Sequence, residues 1–148
     1  MFAIRKLRRA MVVLAFGAVA VPTRADAPSG QYSAKDGTVH DNRTGLSWQQ
    51  QAEPVERTWS EAGSYCAELT LAAGGWRLPT YKELLTLVDP TRTSPAIDTA
   101  SFPSAASAAY WTASSYGGMT SHAWYVDFSD GNSNYAGTGT KRYARCVR

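Results

Sequence analysis

The segment GWRLPTYKEL, residues 75–84, decides how the first half of the chain folds. Thr80 and Glu83 have the spacing of a capping box, in which the hydroxyl accepts from an orphan backbone amide and the carboxylate reaches back to the cap. A short helix is therefore expected from Thr80, and Asp89-Pro90 should stop it, because the residue before a proline avoids helical geometry. Its apolar residues are Leu84, Leu85, Leu87 and Val88.

The residues before this segment have the period of a longer helix. Apolar residues recur three and four positions apart, which gives a helix one apolar face. Thr58 and Glu61 form another capping box at its start, and Gly74-Gly75 is expected to end it. The residues of the apolar face are Trp59, Ala62, Cys66, Leu69 and Ala73.

Strand patterns flank the two helices. Residues 37–51 predict a hairpin whose turn, at residues 41–45, ends on a glycine. Residues 91–109 are rich in small and polar side chains and are expected to form a long surface loop. Three strands are predicted after it, at residues 110–112, 123–128 and 143–147. In the last of these strands, Ala144 and Cys146 share one face, while the opposite face carries Tyr143, Arg145 and Val147.

The length and composition are typical of one ordinary domain. The chain has 148 residues, 44% hydrophobic and 18% charged, which excludes a multidomain enzyme. The formal charge of +3 does not predict a nucleic-acid partner, because five of the 15 basic residues lie in the first 25 residues. The other ten basic residues accompany twelve acidic ones, and no nucleic-acid-binding motif follows.

The first 25 residues have the features of a secretory signal peptide. A basic start precedes an apolar stretch at residues 10–21, and Thr23 and Ala25 are the small residues before a cut ahead of Asp26. The apolar stretch is short for a membrane span, although an anchoring helix is the alternative interpretation. We expect export to the periplasm or beyond without a membrane anchor, a flexible leader at residues 26–36 and a domain at residues 37–148.

Cys66 and Cys146 are the only cysteines. In an oxidising compartment, a widely spaced even pair predicts a disulfide rather than a metal or redox site. The bond would tie the first helix to the last predicted strand.

Six segments together resemble the Lcl C-terminal domain family, the module that ends a collagen-like bacterial surface adhesin. The resemblance implies an α+β, C-type lectin-like fold, with two short helices packed on small antiparallel sheets, long irregular loops and one disulfide. It also implies a binding module for an anionic polysaccharide or surface glycan. The segments are TGLSW at 44–48, TWSEA at 58–62, GWRLPT at 75–80, YWTASS at 110–115, AWYVDF at 123–128 and RCVR at 145–148.

Catalytic and metal chemistry has little support in the sequence. The family distantly resembles the formylglycine-generating enzymes, whose chemistry needs an additional reactive cysteine pair that this sequence does not have. No nucleophile elbow is present either. His40 and His122 have no second ligand at a metal-like spacing. Oxygen-bearing side chains at residues 127–134 do not have the spacing of a calcium loop and are interpreted as a solvated turn. We expect no enzyme activity, no cofactor and no metal.

The predicted ligand site combines cations with aromatic rings outside the core. The candidate residues are Trp111, Tyr116, Tyr135, Lys141, Arg142 and Arg148. Cations would attract an anionic glycan and rings would stack on its sugar faces. A solvated edge is the alternative interpretation of the terminal cations, which are Lys141, Arg142, Arg145 and Arg148. Arg77 is expected to be a buried, hydrogen-bonded framework residue. The long loop around Asp98 is the fallback location. The other four tryptophans, Trp48, Trp59, Trp76 and Trp124, are assigned to the core. The alternative function is a protein-interaction or structural module of the bacterial envelope without sugar specificity.

Overall fold

A computed structural model describes residues 27–148. Two three-stranded antiparallel sheets and two helices form an α+β fold. The first sheet contains β1 (Tyr32–Lys35), β2 (Thr38–Asp41) and β3 (Ser47–Gln49), and the second contains β4 (Ala109–Ser115), β5 (His122–Asp127) and β6 (Ser133–Gly137). Helix α1 covers Trp59–Glu68 and helix α2 covers Tyr81–Leu85. The predicted α+β class is confirmed.

The start of the described chain corrects one boundary. The predicted signal peptide lies outside the described residues. The flexible leader predicted at residues 26–36 is wrong over Tyr32–Lys35, because this segment pairs with all of β2. Tyr32 also packs its ring edge-on against Phe102 at 5.4 Å. The ordered domain therefore begins before residue 37.

Both predicted capping boxes are present. The Thr58 hydroxyl accepts from the Glu61 amide at 3.4 Å, and the Glu61 carboxylate accepts from the Thr58 amide at 2.8 Å. Thr80 and Glu83 make the same two bonds at 3.3 and 2.8 Å. These bonds satisfy amides that have no partner inside the helix, and they fix where α1 and α2 begin.

Both helices end earlier than the apolar periodicity predicts. After α1, the Leu71 carbonyl accepts from the Trp76 indole at 2.6 Å, and the Ala72 carbonyl accepts from Arg148 at 2.6 Å. Residues 71–73 form a separate 3-10 turn instead of a continuation of the helix, and Ala72 and Ala73 have positive φ. After α2, Leu87 is buried like the apolar residues of the helix, although it lies in a turn and not in the helix itself.

The C-terminal segment, residues 142–148, joins the two sheets. The Trp111 amide of β4 donates to the Tyr143 carbonyl at 3.0 Å, while Arg148 and Ser47 of β3 exchange two bonds at 2.9 Å. The strand predicted at residues 143–147 is therefore wrong as a continuous element. The segment forms isolated bridges, because it crosses from one sheet to the other and changes partner on the way.

Two hydrophobic clusters lie on opposite sides of this segment. The first cluster packs α2 against both sheets. The second surrounds the bond between Cys66 and Cys146, which confirms the predicted disulfide. Ala144 and Cys146 face the second cluster, whereas Tyr143 and Val147 face the first, so the predicted alternation is confirmed.

The long loop at residues 91–109 is irregular up to β4, as expected, but it is not confined to the surface. Ile97 and Phe102 are fully buried in the first cluster. The Asp98 carboxylate accepts from the amides of Ala100 and Ser101 at 3.1 and 3.2 Å. This part of the loop is a component of the core.

Candidate functional site

Four aromatic side chains gather on one face of the second sheet. Tyr116 and Tyr135 stack with ring centroids 3.8 Å apart and planes 12° apart. Trp124 meets Tyr116 edge-on at 5.4 Å and lies 5.0 Å from Tyr81. His122 lies at the border, 6.0 Å from Tyr135. The four rings and His122 are all half-buried, and we call these five side chains together the aromatic surface.

Strand pairing brings these rings together. Trp124 of β5 lies directly opposite Tyr135 of β6, so their side chains share one face. Tyr81 opens α2 beside them, and its hydroxyl and the Ser133 hydroxyl are 2.8 Å apart. The β4–β5 loop closes the group, since a Cβ on Gly118 would lie 2.8 Å from a Tyr116 ring carbon.

Tyr81 and Trp124 belong to the surface but were not predicted as site residues. Its alternation with Val126 and Phe128, which are indeed buried, favours a core position for Trp124. Strand β6 is not recognisable from the sequence, because residues 133–137 contain glycine and asparagine, which are depleted in strands. A prediction of that strand would have placed Tyr135 opposite Trp124.

A second group, which we call the basic cluster, consists of Arg57, Lys141 and Arg142. Arg57 and Arg142 exchange backbone hydrogen bonds of 2.7 and 2.9 Å. The Arg142 guanidinium stacks over Tyr125 at 3.7 Å. Arg57 stacks over Tyr65 at 4.0 Å and forms an ion pair with Glu53. Lys141 is exposed.

The basic cluster and the aromatic surface lie on opposite faces of the second sheet. The Arg142 guanidinium lies over the ring of Tyr125, and Tyr125 directly follows Trp124 along β5. Successive strand residues point to opposite faces. Tyr125 packs against the second hydrophobic cluster, which surrounds the disulfide, whereas Val126 belongs to the first cluster. The prediction that Lys141 and Arg142 share a site with Tyr116 and Tyr135 therefore conflicts with the strand geometry.

The remaining predicted cations also lie apart from the tyrosines. Arg148 donates to the carbonyls of Ala72 and Gly74 and lies over Trp76 at 4.9 Å. Arg145, expected at a solvated edge with its neighbours, is fully buried and donates to the carbonyls of Gln49 and Gln50 at 2.6 and 2.8 Å. Burial lowers the pKa of this guanidinium.

The assignment of Trp111 as a ligand-stacking ring is wrong. Its side chain is fully buried in the disulfide cluster. The indole donates to the Arg57 carbonyl at 3.0 Å, and Arg142 lies 5.3 Å from the ring. Among the tryptophans assigned to the core, Trp48 and Trp76 are buried, whereas Trp59 and Trp124 are half-buried.

The pKa shifts of the acidic groups come mainly from structural hydrogen bonds. Bonds from Arg77 lower the pKa of Glu83 to about 2, although burial raises it, and bonds from the Thr80 cap lower it further. The bonds from Thr58 lower the pKa of Glu61, with a smaller contribution from nearby Lys141 and Arg57. Arg77, expected to be buried, is half exposed and forms a two-bond ion pair with Glu83.

A cavity of about 220 Å³ lies away from both groups. Its lining includes Tyr32, Arg43, Asp89 and Asp98. Burial and the nearby Asp41 raise the pKa of Tyr32 to about 12. Arg43 donates to the Thr86 carbonyl at the edge of the cavity at 3.2 Å. Within residues 27–148, no group of three or more acidic, histidine or cysteine side chains has the arrangement of a metal site.

These features define a small α+β domain, closed by one disulfide, with a half-buried aromatic surface. The model of the Lcl C-terminal domain family matches residues 37–148, and the chain belongs to this family. Membership suggests an extracellular domain. A comparison with curated proteins found no match. In the described part of the chain, no helix is long and apolar enough to cross a membrane.

Proposed function

We propose that this protein is an exported, noncatalytic binding module that recognises a glycan through the aromatic surface. The observation that carries the proposal is the half-buried group of rings at Tyr81, Tyr116, Trp124 and Tyr135. Aromatic rings offer large, rigid apolar faces, and contact sites in proteins are enriched in them. The apolar faces of sugar rings are suitable partners for such a surface.

The noncatalytic part of the proposal is supported by the surroundings of the two histidines. His40 lies 3.3 Å from the Ser47 hydroxyl, and His122 lies 3.3 Å from the Ser121 hydroxyl. No carboxylate in residues 27–148 makes a hydrogen bond to either imidazole. A serine–histidine pair needs a third group that orients the base, so neither pair has the arrangement of a catalytic triad.

The fold relationship and the location belong to the same proposal. We infer a C-type lectin-like fold from the order of two helices and two small sheets and from the disulfide between α1 and the C-terminal segment. Export agrees with that disulfide, because such bonds persist in oxidising compartments.

An anionic polysaccharide remains a candidate ligand because of the basic cluster. Arg57, Lys141 and Arg142 lie together, and long-range attraction to an anionic chain needs such a group. Glu53 forms an ion pair with Arg57, and the charge of Lys141 contributes to the lowered pKa of Glu61. These two carboxylates therefore compensate part of the positive charge of the basic cluster. The aromatic surface is the better supported of the two sites.

The test is a glycan array, with neutral and sulfated members, probed with the purified protein and with paired variants. Replacing Tyr116 and Tyr135 together by Leu removes both ring faces and should reduce binding at least tenfold. Replacing both by Phe keeps the rings and should preserve binding, since no hydrogen bond within residues 27–148 uses either hydroxyl.

Two controls separate the proposal from its competitors. Lys141→Ala changes an exposed cation on the other side of the sheet and should leave array binding unchanged. Melting temperatures show whether each variant is folded. Binding that survives the Leu variant in a folded protein would contradict the proposal, and the absence of any glycan ligand would favour a protein-interaction module.

A further inference from the structure

We infer that the aromatic surface binds an uncharged stretch of glycan. The ligand is then a neutral sugar chain and not the anionic polysaccharide expected from the sequence. This inference rests on the proposed function. It adds the class of ligand, which follows from the distribution of charge around the rings.

The residues that build the aromatic surface carry no carboxylate, ammonium or guanidinium group. On the face of β5 that contains Trp124, the neighbouring side chains are His122 and Val126, and the matching residues of β6 are Ser133 and Gly137. The loop at residues 117–121, between β4 and β5, reads GGMTS and is also uncharged. His122 is the only basic side chain in this set.

The cations of the C-terminal segment are directed elsewhere. Arg142 lies across the sheet over Tyr125, and Arg148 is bonded to carbonyls beyond α1. Arg145 is fully buried. An anionic sugar bound against the rings would lose hydration of its charge and gain no ionic partner from these residues, which disfavours it relative to a neutral sugar.

Lys82 provides a sharp control. It follows Tyr81 in α2, is exposed, and is the cation nearest to the aromatic surface along the chain. If an acidic ligand used this surface, Lys82 would be the cation best placed in sequence to contribute. For a neutral ligand, Lys82→Ala should change the Kd by less than about twofold, because exposed charges act weakly on an uncharged partner.

The experiment is calorimetric titration of the protein with neutral hexasaccharides (cellohexaose, chitohexaose, xylohexaose and mannohexaose) and with a heparin hexasaccharide. Salt is set at about 50 mM and then at about 500 mM NaCl, since screening weakens ionic contacts and leaves apolar ones largely unchanged.

The expected result is binding of a neutral oligosaccharide with a Kd that changes less than about twofold with salt and that rises at least tenfold in the Tyr116→Leu/Tyr135→Leu variant. If heparin alone binds, and the tyrosine variant abolishes that binding, the proposed function stands but the uncharged ligand class is wrong. If heparin binding is lost only in Lys141→Ala, or if none of the probes binds, both the site and the ligand class are contradicted.

Discussion

At the scale of single residues, Arg145 shows the largest difference between the expected and the observed position, because it is fully buried instead of lying at a solvated edge. Its position in a terminal group of cations suggested a solvated edge, yet the strand alternation already placed it on the face of Tyr143 and Val147, which is buried. A guanidinium in that position requires acceptors, and the carbonyls of Gln49 and Gln50 from another segment both accept from its Nη1. Such long-range partners cannot be predicted from local patterns.

Arg145→Ala should lower the free energy of unfolding by about 3 kcal/mol or more. The change removes the donor to two carbonyls and the packing of the side chain on Phe102, whose ring centre lies 4.8 Å from the guanidinium. Chemical denaturation measures the loss. Lys141→Ala is the matched control, because it removes an exposed cation next to the same segment and should change the stability by about 0.5 kcal/mol or less. Equal losses would show that burial of Arg145 contributes nothing.

Glu83 gives a prediction for pH. Its folded pKa of about 2 lies below the ordinary value of 4.5. The charged form is therefore stabilised by folding, and this stabilisation is complete above about pH 4.5 and is lost as the pH falls towards 2. The side chain of its partner Arg77 is 48% exposed, so we expect only about 1–2 kcal/mol.

The measurement for Glu83 is the difference in unfolding free energy between the wild type and Glu83→Gln, followed across that pH range. The difference should shrink as the pH falls, because only the wild type loses a charged partner of Arg77. A difference that stays constant from neutral pH to about pH 2 would contradict the assigned cause.

At the scale of elements, local signals predicted the starts of both helices but not their ends. The starts depend on residues only three positions apart, Thr58 with Glu61 and Thr80 with Glu83. The helix does not continue through residues 71–73, because Ala72 and Ala73 have positive φ there and the Ala72 carbonyl accepts from Arg148, which is 76 residues away in sequence. Strand β6 was missed because its pairing with β5, and not its composition, stabilises it.

Thr58→Ala should destabilise the protein by about 1 kcal/mol, the usual cost of losing a helix cap. The hydroxyl accepts from the Glu61 amide, and no other side chain within residues 27–148 caps that amide. Ser60→Ala, one residue into α1 and exposed, is the control and should lie within about 0.5 kcal/mol of the wild type. Thermal denaturation distinguishes the two, and a larger loss for Ser60→Ala would contradict the role of the cap.

At the scale of the whole molecule, the disulfide and the C-terminal segment hold the two sheets together. The cysteines are 80 residues apart in sequence, so their bond closes most of the domain into one loop. The pairing was predictable, because only two cysteines are present. The bridging role of residues 142–148 was not, since it depends on how the sheets are placed relative to each other.

We expect the native, oxidised protein to contain no titratable thiol after denaturation without reductant. Cys66→Ala, Cys146→Ala and the double variant should each lose about 4–5 kcal/mol of stability, because all three remove the same closed loop. Urea denaturation tests the equality. If the single variants lost much less than the double variant, the bond would not be the stabilising feature.

The most direct test of glycan binding at the aromatic surface is a two-dimensional NMR titration of the protein with the glycan that binds best on the array. The Trp124 indole and the backbone amides of Tyr116 and Tyr135 should shift. Resonances of the basic cluster (Arg57, Lys141 and Arg142) and of the cavity beside Tyr32 should not move. Shifts confined to either of those regions, with the Trp124 indole unchanged, would contradict the account.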